Sequence, residues 1–468
     1  LSGSGDGYLS GVTIDEATRT IHVSDPRDGS PVGDVPIADD AEVADAVARA
    51  RSELPGWSRR DPAERGSLLA AAARSVQARA DELAGLNTRE TGKPAGDARG
   101  GVDAGVATLF QYAELGPVHR GRSLNGSFHA IDYTVAQPRG LVAAVTPWND
   151  PVAIACGLLG AALVTGNVVV HKPSERCPHV GRLLDELLSA ALPDDVLVTV
   201  LGDASTGAAL VARPEVDVVA HVGSTATGRA IERVALETGA HVLRENGGND
   251  ALVVDAGVDP VWAAEQAALG AYANGGQICT SVERVYVHRE VADAFVSALA
   301  AEARRLADSG EFPPLVDERM RDAVHAHVAE ALERGATAVV GGEVPEGPGA
   351  FYPPTVLTGV DDAMLVVREE TFGPVAPVVV VDDFDEGLRR AADDAYGLAA
   401  TVLTPSMAHA QRAAAELPVG TVKVNAVFGG APGGAAQPQR ASGRGFGYGP
   451  ELLDEMTTTK VVHLAPLT

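Results

Sequence analysis

The chain has 468 residues, too many for one hydrophobic core, so two or three domains are expected. Its 46% hydrophobic and 21% charged residues are ordinary for a soluble globular protein and exclude extensive disorder. A formal charge of −26 argues against nucleic acid and anionic membranes as main partners, because both require basic surface.

No charged-then-apolar signal segment opens the sequence. The first 115 residues carry two helical patterns. One begins near Asp39 and runs through "AEVADAVARARSEL". The other follows "RDPAERGSLLAAAARSVQARADELAGLNTRE", with Asp61 as its cap and Pro62 at the first helical position. Between about 117 and 139, polar and aromatic residues alternate and predict an exposed hairpin.

From 141 the rhythm is regular: "LVAAVT" a strand, 151–165 a helix, "NVVVHKP" a strand, 178–191 a helix. Then come "VLVTVLG", a short helix at 204–212, "VDVVAHVG", a helix at 225–238 and "HVLREN". Strands without a polar face, alternating with helices, imply a parallel sheet covered on both sides. The apolar run "PVAIACGLLGAALV" at 151–164 is shorter than the roughly 20 residues of a membrane span and reads as a buried helix.

A second alternating set starts with the strand "ALVVD" and a helix at 259–272. It continues through "ERVYVH", helices at 290–307 and 318–334, and the strands "ATAVVG", "APVVVV", "LAATVLT" and "GTVKVN". Residues 429–450 read as an extended loop. The closing "TTTKVVHL" is a strand with no hairpin partner, so it must pair elsewhere.

Three cysteines, Cys156, Cys177 and Cys279, cannot build a disulfide framework and point to a reducing, cytoplasmic setting. Cys156 falls in an apolar helix and Cys177 at a helix start, where inert thiols are common. Cys279, inside "NGGQICTS", sits among small polar residues, as a nucleophile does. Only four lysines occur (Lys93, Lys172, Lys423 and Lys460), so each surviving lysine deserves scrutiny.

Other chemistry gathers at strand ends. "HVGSTATGRA" starts a helix after Gly223 and Ser224, where free N–H groups favour an anion; an unliganded glycine turn would look the same. In "HKPSE", Lys172 could face a ribose or phosphate and Glu175 could accept from ribose hydroxyls; a solvated loop is the plain alternative. In "TPWND", Asn149 is a neutral amide donor suited to an oxyanion, while Trp148 alone would read as core. In "RENGGND", Glu245 could act as a base on water or be an ordinary surface carboxylate.

The set "RETGKP", "TPWN", "NVVVHKPSE", "GSTATGR", "ENGGND", "NGGQICTS", "EETFGPV" and "GTVKVN", in this order, resembles the NAD(P)-dependent aldehyde dehydrogenase superfamily over about 20–462. The resemblance implies Cys279 as nucleophile, Glu245 as general base and Asn149 as oxyanion donor. It implies cofactor contacts from Thr146, Pro147, Trp148, Lys172, Ser174, Glu175, Gly202, Gly223, Ser224, Glu370 and Phe372, and no metal. NAD is the implied cofactor, with NADP possible; Glu175 would repel a 2′-phosphate.

The implied fold is α/β: a doubly wound parallel-sheet cofactor domain at 1–245, interrupted at about 117–139 by a bridging hairpin. A second α/β catalytic domain follows at 246–430, then a C-terminal loop and oligomerisation strand at 431–468. The implied partners are a small-molecule aldehyde and a second copy of the chain, as homodimer or homotetramer. The sequence departs from the family pattern at Asn246, Asp150, Gly157 and Leu158, and in the missing Phe-Gly-Gly-x-Lys near the end. The rival readings are a coenzyme-A-acylating aldehyde dehydrogenase, an inactive binding protein on the same scaffold, and a cofactor-free thiol hydrolase.

Overall fold

The computed structural model describes residues 12–430 and 434–467. Residues 1–11 of the expected cofactor domain, and 431–433 and 468 of the expected C-terminal element, lie outside the described residues.

Two sheets organise the chain. The first has six strands in the spatial order Gly443–Arg444, His241–Glu245, Val218–Val222, Leu141–Val145, Val168–Lys172, Leu197–Thr199. All run parallel except Gly443–Arg444. Valine and alanine fill these strands because helices cover both faces, with Pro151–Val164 and Pro178–Ser189 buried along most of their length. The chain leaves Leu141–Val145 in one direction and returns on its other side at Val218–Val222. That reversal opens a crevice beyond the strand ends, where Thr146 and Gly223 follow.

The second sheet has seven strands in the order Thr337–Val340, Thr355–Thr358, Val375–Val381, Val282–His288, Asp250–Val254, Ala399–Leu403, Thr421–Val424. Only the first pair is antiparallel. Period-two alternation divides its core: Leu252 and Val254 pack toward the helices Pro260–Tyr272 and Arg289–Ala307, Ala251 and Val253 toward Glu318–Glu333 and Phe384–Ala392. The α/β class with parallel sheets is as the sequence implied.

Several local expectations are corrected. The second helical pattern is two helices, Pro62–Ala78 and Ala80–Thr91, because Arg79 leaves helical geometry with φ −119° and ψ 26°. A further helix, Ala95–Leu115, was not read, since its glycines lower helix propensity. Those glycines let it lie close to Pro151–Val164, with Gly105 against Cys156 and Gly101 against Asp150. The strands Val12–Asp15, Thr20–Ser24 and Pro31–Pro36 form an unforeseen three-stranded sheet around Ile21 and Val35. Thr355–Thr358, Phe384–Ala392 and Met407–Glu416 were also unread.

The tail strand Thr457–Leu464 pairs antiparallel with Ile131–Pro138 over its full length, from Thr457 opposite Pro138 to Leu464 opposite Ile131. The tail strand thus finds its partner in the segment read as a hairpin, and Ser123–Leu124 completes the sheet. The supposed loop at 429–450 contains Gly443–Arg444, which returns to the first sheet beside Arg244 and Glu245. Among the described residues, no helix is long and apolar enough to cross a membrane.

Candidate active site

Glu245 ends a strand of the first sheet and Asp250 starts one of the second, so the "ENGGND" turn joins the two. Cys279 lies in the loop ahead of Val282–His288, and Glu370 and Phe372 in the segment ahead of Val375–Val381.

The cysteine loop is packed ahead of Cys279, which itself stays half-exposed. Asn274, Gly275 and Gly276 take left-handed φ values of 51°, 65° and 75°. At Gly276 a side chain would also overlap the Gly373 carbonyl, so glycine is required twice over. Gln277 is buried and satisfies the turn: its amide donates to the carbonyls of Asn274 (2.9 Å) and Pro314 (3.3 Å) and accepts from the Val316 N–H (2.9 Å). Residues 278–280 alone keep partial exposure.

Asn149 reaches this loop directly. Its Nδ2 donates to the Gln277 carbonyl at 3.2 Å, two residues before Cys279, and its second amide hydrogen is free of that bond. Behind it, buried Lys93 donates from Nζ to the Asn149 carbonyl and to Asp150 Oδ1, both at 3.1 Å. Sequence reasoning assigns Lys93 no role; the signals pointing to it are its rarity among so many arginines and its place in "RETGKP".

Of the carboxylates around the thiol, Asp250 is buried and Glu245 and Glu370 are half-buried, and all three hold their protons above the usual carboxylate range. Burial pushes Glu245 up to about 7 against an opposing Gly447 backbone N–H, and a side chain at Gly447 would overlap the carboxyl. Burial likewise pushes Glu370 up to about 7; its Oε1 accepts from the Gly248 N–H at 2.9 Å. Asp250 rises to about 8 for the same reason, opposed by the Ala399 N–H, Lys423 and Arg284. Burial first, and then Glu245, Asp250 and Glu370, push the Cys279 thiol up to about 12, with Lys423 opposing. Cys156 and Cys177 are fully buried, and burial drives their thiols upward as well.

Phe372 has a positive φ of 52°, held by Glu283, whose two oxygens accept from the Thr371 and Phe372 N–H groups at 3.0 Å each. Its ring meets Trp148 edge-on at 5.7 Å, and the Arg176 guanidinium lies 5.2 Å over Trp148. Trp148 is half-buried, packing against the edge of the first core while its ring meets Phe372 and Arg176.

On the first sheet, buried Lys172 donates to the Pro173 carbonyl (3.2 Å) and pairs with Glu175 Oε2 (3.4 Å). Burial raises the Glu175 carboxyl, but Lys172, its own backbone N–H and Arg176 outweigh that and hold it below the usual range. Ser174 Oγ accepts from the Arg176 N–H at 3.2 Å. Gly202, with φ 156°, turns the chain ahead of Ala204–Val211. Ser224 caps Thr225–Thr238 by accepting from the Thr227 N–H alone, which leaves the earlier N–H groups of that helix start for an anion. The Gly223 N–H donates to the Glu245 carbonyl at 3.0 Å, tying this turn to the carboxylate's own backbone. A side chain at Gly223 would meet His221 Cε1 at 2.8 Å, so the turn stays open only as glycine. A glycine turn, a free helix start and a buried lysine on the neighbouring strand fit a dinucleotide.

A family model described as "Aldehyde dehydrogenase family" matches residues 13–462. The chain belongs to the aldehyde dehydrogenase family. It is 36% identical over 443 residues to a 2-hydroxymuconic semialdehyde dehydrogenase from Pseudomonas sp. strain CF600, covering 90% of this chain and 91% of that protein. It superposes with TM-score 0.92 and 31% identity on an NAD-dependent aldehyde dehydrogenase from Sinorhizobium meliloti, over 98% and 94% of the two chains. A betaine aldehyde dehydrogenase from Staphylococcus aureus in complex with NAD+ gives TM-score 0.93 and 28% identity, over 98% and 96%. The resemblance read from the eight motifs is thereby shown, and with it an NAD-binding oxidoreductase, NADP remaining open to it.

The departures of this aldehyde dehydrogenase have visible consequences. Asn246 is drawn to the returning tail: its N–H donates to Ser442 O at 2.8 Å and its Nδ2 to Ala441 O at 3.0 Å. Its buried Oδ1, without a partner among the described residues, lies against Gly228. Asp150 is the ion-pair partner of Lys93. Gly157 faces open space, with no atom within 4 Å of where a Cβ would stand. Leu158 is core.

Proposed function

We propose that this aldehyde dehydrogenase oxidises an aldehyde to its carboxylate through an acyl thioester on Cys279. The Asn149 amide bonded beside the cysteine loop, with Glu245 holding a proton near neutrality, carries this reading. Cys279 loses its thiol proton to solvent and the thiolate sulfur bonds to the carbonyl carbon, and the oxyanion accepts from the free Asn149 hydrogen and the Cys279 N–H. A bound NAD+ would supply the acceptor for the hydride that leaves the former carbonyl carbon. Glu245, its proton lost to solvent, then takes one from water as the oxygen attacks the thioester and sulfur leaves. Lys172, Ser174, Glu175, Gly202, Gly223 and Ser224 would hold the adenosine and phosphates, Thr146–Trp148, Glu370 and Phe372 the nicotinamide half. Glu245 disfavours coenzyme-A release, and the intact nucleotide motifs disfavour both an inactive scaffold and a cofactor-free hydrolase.

Residues 1–245 would then be the cofactor domain, 246–430 the catalytic domain and 431–468 the bridging element. The small sheet exposes Ile131, Val461 and Leu464, with Phe128 at its turn, an apolar set that supports closure against a second copy as dimer or tetramer. Three free cysteines fit a reducing cytoplasm. An aldehyde panel read by NADH absorbance with NAD+ and NADP+ tests the activity; no turnover with any aldehyde would refute it.

A further inference from the structure

One buried pair, His171 with Asp185, has no part in the steps above. His171, fully buried on the strand Val168–Lys172, places Nδ1 at 2.8–2.9 Å from both oxygens of Asp185, on the helix Pro178–Ser189. Asp185 is itself buried and also accepts from Thr199 Oγ1 at 2.7 Å, on the neighbouring strand. A carboxylate so placed takes hydrogen bonds and gives none, so Nδ1 carries the ring hydrogen and Nε2 is the free position. Nε2 lies 2.8 Å from Thr146 Oγ1, and Thr146 is buried too. Both groups are buried, so the Thr146 hydroxyl is committed to the imidazole.

Thr146 is the hinge between the strand Leu141–Val145 and the loop that carries Asn149. Its N–H donates to the Lys172 carbonyl at 3.2 Å, and the Val200 N–H donates to the His171 carbonyl at 2.9 Å. Three strand ends are thus fastened at one level, and the loop departs from a fixed point. Three residues on, Asn149 bonds the Gln277 carbonyl beside Cys279.

We infer that His171, oriented by Asp185, is a positioning residue: through Thr146 it sets where Asn149 presents its amide to the carbonyl carried by Cys279. The inference rests on the proposed roles of Asn149 and Cys279. Its signature is kinetic. A misplaced oxyanion donor lowers kcat and kcat/KM together and leaves the aldehyde KM in place, because the contact is made only in the transition state.

Thr146→Val removes the hydroxyl at nearly constant shape and keeps the His171–Asp185 pair, so the fold survives; His171→Gln is the harsher variant. We expect Thr146→Val to lose about tenfold or more in kcat with both the aldehyde KM and the NAD+ KM within about twofold, a displacement effect of the size seen for misplaced reacting groups; a raised NAD+ KM would mark a lost cofactor contact and count against the inference. Thr146→Ser should recover most of that loss. Thr199→Val removes an equally short bond from the far side of Asp185, and should lower Tm comparably while sparing kcat. Unchanged kcat in Thr146→Val, or kinetic losses in Thr146→Val and Thr199→Val that simply track Tm, would overturn the inference. Failure of the functional reading itself would appear elsewhere, as a wild-type protein without activity on any aldehyde.

Discussion

Replacing Glu245 by glutamine tests the electrostatics of the site through stability as well as rate. Burial raises the native carboxyl from 4.5 to about 7, while the unfolded chain releases its proton near 4.5. Between those values the native state binds more protons, so this group's contribution to stability falls as pH rises, and the loss is complete above about 7. At ~1.4 kcal/mol per pH unit, the interval is worth about 3 kcal/mol. Glutamine keeps an acceptor for the Gly447 N–H and has no charge to bury. Glu245→Gln should therefore match the wild type near pH 4.5 and exceed it by about 3 kcal/mol at pH 8 in chemical denaturation. Glu370 and Asp250 titrate in the same sense but are common to both proteins and cancel in the difference. Hydrolysis should rise with pH through about 7 in the wild type, as Glu245 becomes a base, and become flat and ~10²–10⁴-fold slower in the variant. A stability difference that does not change with pH would refute the reasoning.

Cys279→Ala should abolish NADH formation, whereas Cys156→Ala should stay active and lose about 1 kcal/mol of stability from a small core void, measured by denaturation alongside turnover. Lys93→Met removes the two bonds that brace Asn149 and Asp150; at about 1.5–3 kcal/mol for charged hydrogen bonds, kcat should fall roughly tenfold or more in steady-state assays. NAD+ should be preferred to NADP+ in kcat/KM, and Glu175→Gln should narrow the ratio by removing the charge that would meet a 2′-phosphate.

The parallel strands at 141–245 were legible because each is a short apolar run closed by a turn, the pattern a doubly covered sheet imposes. Ala95–Leu115 escaped because its glycines serve close packing on the next helix at the expense of helical signal. The pairing of 131–138 with 457–464 had no local trace, since only tertiary structure brings those strands together. At the site, Cys279, Glu245 and Asn149 stood in motifs whose residue types announce their chemistry. Lys93, Gln277, Glu283, His171 and Asp185 act by bracing others across distant stretches of chain, and such roles exist only as contacts. Glu283 illustrates this: within "VERVYVH" it is one polar interruption of a strand, yet it fixes the backbone of Phe372.

The thioester on Cys279 is the central claim, and trapping it is the most direct test. Glu245→Gln should be mixed rapidly with aldehyde and NAD+, NADH followed by absorbance, and the quenched protein digested for mass spectrometry. The account predicts a burst near one NADH per active site, then a slow phase, with an acyl group on the peptide containing Cys279 and none on those of Cys156 and Cys177. Unchanged steady turnover, or a burst without acylation of Cys279, would contradict it.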